Sequence, residues 1–152
     1  MCTYVDKNAT DEMRKQLKGK NVAYAWKFVR VKNGSWYAPF WNILYSQTNK
    51  TGFAPKDVLV KDDYDSGMRY HEEGVFHLTI TRQQARLLAK YKRKGHDKKN
   101  RCKVVKISYN PKDLVCIGSV GPFAKKIYNM PTTKDTPDSI CVTKFKFVDK
   151  IK

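Results

Sequence analysis

His77 and Thr79 stand two residues apart in Val75 to Ile80, a stretch whose alternation predicts a strand, so both side chains leave one face. An imidazole and a hydroxyl so placed can grip one phosphate, as in phosphoesterases built on two H-x-T pairs. This chain has one pair, and His96 lies in a basic loop without a partner, so a packed strand with a surface histidine is the simpler account. His77 and Thr79 are kept as a candidate pocket. The run His71-Glu72-Glu73-Gly74-Val75-Phe76-His77 raises a metal, but its histidines are too widely spaced for the i, i+4 geometry of helical zinc sites. Cys2, Cys102, Cys116 and Cys141 form no C-x-x-C pair, which argues against a zinc knuckle and for free thiols in a reducing, cytoplasmic setting. No cofactor, metal or catalytic residue is assigned.

Charge gives the stronger signal. Lys90, Lys92, Arg93, Lys94, Lys98, Lys99, Arg101, Lys103 and Lys106 face a single acid, Asp97, within one short stretch. The whole chain carries 31 Lys plus Arg against 14 Asp plus Glu, a formal charge of +17. So one-sided a field repels itself, and a polyanion is the simplest reason to carry it. Arg82, Arg86, Lys90 and Arg93 fall at steps of four, four and three along one face of a predicted helix. With Lys98, Lys99 and Arg101, and with Lys27 and Arg30 on an early strand, they are the candidate phosphate-binding set. Tyr24, Trp26, Trp36, Tyr37, Phe40, Trp41 and Tyr45 interleave with Lys20, Lys27 and Arg30, the mixture that stacks bases while holding phosphates. Trp36, Tyr37 and Trp41 are the candidate stacking residues, whereas Tyr24, Trp26 and Phe28 alternate as a sheet core does. No stretch approaches the roughly 18 apolar residues of a membrane span.

The elements that must position these groups follow from pattern. Thr10 is the expected N-cap of a short helix ending at Gly19. Residues 22 to 31 alternate as a strand, Asn33-Gly34 predicts a type I′ turn, and Ser35 to Trp41 should return antiparallel. Ser46 to Tyr70 reads as a long loop with one short strand at Asp57 to Val60. Thr81 and Gln84 are spaced as a capping box for a helix over Arg82 to Lys94 with Ala85, Leu88 and Ala89 inward. Strands are expected at Cys102 to Tyr109, Leu114 to Ile117 and Ile140 to Val148, the last with a basic outer face.

Two resemblances attach to these residues. Ile117-Gly118-Ser119-Val120-Gly121 with Ala124-Lys125-Lys126-Ile127 resembles the KH-domain core, whose GxxG loop clamps a nucleic-acid backbone; a plain turn between strands is the alternative. Trp26-Lys27-Phe28, then Gly74-Val75-Phe76-His77-Leu78-Thr79 leading into Ala85, then Val104-Val105-Lys106-Ile107 with Asn110-Pro111-Lys112-Asp113-Leu114-Val115, resembles the split-sheet scaffold of ADP-ribosyltransferase-like domains of phage and bacterial proteins. That resemblance implies NAD chemistry with Lys27 or Arg30 as the early basic residue and His77 or Thr79 as the middle one. It also implies a late Glu, where this chain offers only Asp138. The opening Met1-Cys2-Thr3-Tyr4 and Lys-rich composition are similar to small proteins of phages and large DNA viruses, which implies a host-cell or virion-associated location.

These readings converge on a single basic α+β domain over residues 1–152, with a mostly antiparallel sheet, continuous or split, and two or three short helices. The expected function is non-catalytic binding of nucleic acid or a phosphate-bearing nucleotide. The alternatives are an NAD-using enzyme, and an inhibitor or structural partner docking on an acidic host or virion protein. No membrane association is expected.

Overall fold

The computed structural model describes residues 3–39, 43–64, 67–95, 101–120 and 138–151. Strand β1 (Thr3–Val5) leads into helix α1 (Lys7–Leu17), and β2 (Ala23–Lys32) turns through Asn33 and Gly34 into β3 (Ser35–Tyr37). Both turn residues have positive φ, 51° and 78°, as a type I′ turn demands. Three short strands follow, β4 (Thr48–Lys50), β5 (Lys61–Asp62) and β6 (Arg69–His71), then β7 (Phe76–Thr79) and helix α2 (Arg82–Gly95). The chain closes with β8 (Arg101–Tyr109), β9 (Leu114–Val120), β10 (Ser139–Val142) and β11 (Lys144–Phe147).

The eleven strands of the described residues join one antiparallel sheet in the order β4-β11-β8-β2-β7-β10-β9-β1-β6-β5, with β3 pairing β2. The fold is therefore α+β. Its central junction is narrow: β2 and β7 meet at one bridge, Trp26 opposite Thr79, whereas β2 and β8 run together from Ala23–Tyr109 to Val31–Arg101. β10 and β11 are separated only by Thr143, yet β10 lies between β7 and β9 while β11 lies between β8 and β4. The chain thus crosses from one side of the junction to the other in a single residue.

That crossing gives both sides a common core. Val29, Val105 and Ile107 from one side meet Leu78, Ile117, Ile140 and Val142 from the other, all buried. Phe145 packs edge-on against Phe76 at 4.9 Å and Phe147 at 5.1 Å, and Phe147 meets Trp36 at 4.9 Å between centroids. Helix α1 lays Ala9, Met13 and Leu17 on this core. Helix α2 packs against β2 and β8 with Ala85, Leu88 and Ala89 buried, and its capping box forms as Thr81 N–H donates to Gln84 Oε1 and Gln84 N–H to Thr81 Oγ1.

Several local expectations are corrected. The N-cap of α1 is Asp6, whose carboxylate accepts from the Ala9 N–H at 2.9 Å. Thr10 is buried instead, its hydroxyl accepting from the Ile117 N–H and so tying the helix to β9. Asp57 to Val60 is not a strand, because Pro55 opens a 3-10 turn over Pro55–Asp57 and Val58 tucks under Val115, Cys116 and Cys141. The 46–70 region holds three short strands rather than one, and β3 stops at Tyr37. Gly118, Ser119 and Val120 lie within β9 rather than in a KH-like loop. Glycine is needed at 118 because a Cβ there would collide with the Tyr4 carbonyl of β1.

Candidate nucleic-acid interface

Strand register decides which lysines share a surface. On the outer side of the β4-β11-β8-β2 half, Lys50 stands opposite Lys144, Lys146 opposite both Thr48 and Ser108, and Ser108 opposite Tyr24. Lys106 and Tyr24 belong to the same side, and the Lys106 ammonium sits 4.4 Å from the centre of the Tyr24 ring. Lys50, Lys106, Lys144 and Lys146 are exposed, and Tyr24 is 54% and Val148 46% exposed, so the face presents cations around an open aromatic ring. Among the described residues these four strands carry no Asp or Glu on either side. Beside them Asp113 has a carboxyl whose pKa is pushed up by burial and pulled back by Lys144.

The cationic surface continues past the edge of the sheet. A groove of about 600 Å³ runs between the end of α1, the 3-10 turn and the β8–β9 connection. Arg14, Lys18, Lys20, Lys56 and Lys112 line it without a single acid. Asn21, also in its wall, directly precedes Val22, and Lys112 directly precedes Asp113, whose carboxyl feels the charge of Lys144. Arg14 is anchored by donating to the Leu114 and Val115 carbonyls.

The expected site residues do not form one cluster. Arg82, Arg86 and Lys90 are exposed on the outer side of α2, with the Arg82 guanidinium 5.6 Å from the Trp26 ring. Arg101 is exposed at the start of β8. Arg30 is half-buried, donates to the Ala38 carbonyl and lies 5.9 Å from the half-buried ring of Tyr37. Trp36 is 5% exposed in the core and cannot stack on a base, a correction that follows from its place opposite Val31 on the inward side of the hairpin. Lys98, Lys99, Trp41 and the Arg93 side chain lie outside the described residues.

Lys27, His77 and Thr79 gather elsewhere, at the junction of β2 and β7. They line a cavity of about 400 Å³ together with Trp26, Phe28, Tyr45 and Phe76. Lys27 is thus corrected from a surface phosphate contact to a buried group, donating to the His77 carbonyl at 2.9 Å and lying 5.5 Å from the Tyr45 ring. That carbonyl is within reach because β2 and β7 diverge beyond their one bridge. Burial lowers the Lys27 pKa to about 8. Thr79 shares its hydroxyl proton between the backbone carbonyls of Trp26 and Thr81, which leaves it no proton to donate to a ligand.

His77 belongs to a buried hydrogen-bonded chain. Its Nδ1 lies 2.8 Å from Thr3 Oγ1 and 3.4 Å from Cys141 Sγ, and Thr3 Oγ1 lies 2.6 Å from Ser139 Oγ. Were Nδ1 to carry the proton, the chain would end on a buried Ser139 hydroxyl with no acceptor among the described residues. Donation in the opposite sense, Ser139 to Thr3 to Nδ1, satisfies every hydroxyl and puts the proton on Nε2, which is buried and has no hydrogen-bond partner among the described residues. Burial, with Lys27 nearby, lowers the His77 pKa to about 3, so the imidazole is neutral.

No family model matches the chain, and neither a curated protein nor a solved structure matches it. In the sequence the densest cations lie on and after α2, and Tyr24 alternates with Trp26 and Phe28 as core residues do, yet Tyr24 is exposed. The alternation of Lys144 and Lys146 with Phe145 and Phe147 is the signal for the open face; the groove has no local signal, because its five cations come from three segments far apart in the chain.

Proposed function

We propose that this protein binds nucleic acid through its backbone, with the open sheet face and the adjoining groove as one continuous track. The observation that carries the reading is the register placing Lys50, Lys106, Lys144 and Lys146 on one side of four strands, β4, β11, β8 and β2, that contain no acidic residue. Lysine ammoniums suit diffuse attraction to phosphates rather than bidentate reading of bases, and exposed Tyr24 offers a stacking platform tolerant of any base. Arg82, Arg86 and Lys90 on the neighbouring helix extend the positive field. We read the one-bridge junction as dividing the sheet into two halves, of which one presents the track. The NAD-using alternative has less behind it, since the Thr79 hydroxyl and His77 Nδ1 are both engaged within the fold.

The test is fluorescence anisotropy with a labelled single-stranded 20-mer at 50 and 200 mM salt. Four lysine–phosphate contacts give a slope of log K against log salt near −3, a loss of about 50-fold between those concentrations. Replacing all four lysines by Gln flattens that slope. Binding that ignores salt, or that survives the quadruple variant unchanged, rejects the track. Absence of oligonucleotide binding alongside nuclease-resistant capture of an acidic protein would favour the protein-docking alternative.

A further inference from the structure

The junction cavity is a different kind of site from the track. Lys27 is 7% exposed, and among the described residues its ammonium makes one hydrogen bond, to the His77 carbonyl, and meets no carboxylate. A buried cation without a counter-charge is costly, and such groups are retained where a ligand supplies the missing charge. The space beside it is the right size for a small molecule, about 400 Å³, and the aromatic residues Trp26, Phe28, Tyr45 and Phe76 are among those that line it, with the Tyr45 ring 5.5 Å from the Lys27 ammonium. Glu72 and Glu73 also line it, both largely exposed and held by Lys61 at 2.8 and 3.8 Å. Two carboxylates there disfavour a ligand with several negative charges, so neither a nucleic-acid strand nor a polyphosphate suits the cavity. One negative charge on a flat apolar body satisfies all of these constraints.

We propose that the junction cavity binds a small aromatic carboxylate, its ring on the aromatic wall and its carboxylate on the Lys27 ammonium. The probe is benzoate, titrated calorimetrically into the full chain beside its neutral isostere benzamide. Benzoate should bind at least tenfold more tightly than benzamide, and Lys27→Met should remove that preference while leaving oligonucleotide binding unchanged. Because the bound carboxylate favours the charged amine, binding near pH 8 should take up protons, seen as a dependence of the measured heat on the buffer's ionisation enthalpy. That second measurement uses the unaltered protein and so stands even if Lys27→Met fails to fold. Equal affinity for benzoate and benzamide, no binding at millimolar benzoate, or no proton uptake would overturn the proposal. Loss of benzoate binding in the quadruple lysine variant, with Lys27→Met unaffected, would assign the carboxylate to surface lysines and overturn it equally.

Discussion

Lys106 and Lys27 lie on neighbouring strands, Lys106 opposite Trp26 and Lys27 opposite Val105, yet they inhabit different chemical worlds. Each ammonium lies near a tyrosine ring, 4.4 Å from Tyr24 for Lys106 and 5.5 Å from Tyr45 for Lys27. Lys106 points outward beside other exposed lysines, where water and salt screen it and a polyanion meets many charges at once. Lys27 points inward, where no solvent screens it and one ligand charge would matter. A single step along a strand reverses the face, so the same residue type becomes part of a diffuse field or of a discrete pocket.

The two regions share one support, and removing it should erase the contrast. Phe145→Ala takes out a ring that packs on Tyr45, Phe76 and Phe147 beneath the lysines of β11, and should cost about 3–5 kcal/mol in denaturant unfolding. Oligonucleotide and benzoate binding should weaken together; weakening of one alone would mean that the halves are supported independently.

Acid should single out the junction. The His77 pKa is lowered to about 3 by burial, against an ordinary 6.5, so between those values the unfolded chain takes up a proton that the folded one refuses. Stability therefore falls as pH drops through that window, by up to about 4 kcal/mol from this group. Unfolding curves at pH 7 and 4 should show a smaller loss for His77→Gln than for the unaltered protein. Equal losses would show that the imidazole is not held neutral.

Base should act on Lys27 in the complementary sense. Its pKa is lowered to about 8 from 10.5, so between these values the unfolded chain holds the extra proton and stability rises with pH. The rise from this group approaches about 3 kcal/mol and should be missing in Lys27→Met, read as the difference between the two unfolding profiles. The smallest effect is expected at the start of α2, where Thr81→Ala removes half of the capping box and should cost about 1 kcal/mol. It should loosen Arg82 and lower oligonucleotide affinity slightly while leaving the cavity untouched.

The capping box, the Asn33-Gly34 turn, the inward Ala85-Leu88-Ala89 stripe and strands β2, β7 and β8 were legible because each rests on a local signal: a spacing, a positive φ, a periodicity. The strand expected over Ile140 to Val148 shows where locality fails. Its alternation runs without interruption, yet the chain switches partners at Thr143, a choice made by what β7, β9, β8 and β4 offer on either side. Asp6 displaced Thr10 as the N-cap for a similar reason, since the Thr10 hydroxyl is claimed by β9.

Composition by itself determined that the molecule is a cation of formal charge +17 with enough apolar residues for a core, and pattern determined most of its elements. Tertiary structure alone decided which charges act together. The groove draws on α1, the turn after it, the 3-10 turn and the β8–β9 connection, and the cavity on β2, β7 and the segment after β3. Residues so far apart in the chain become neighbours only through strand pairing and burial, and neither leaves a trace in local spacing.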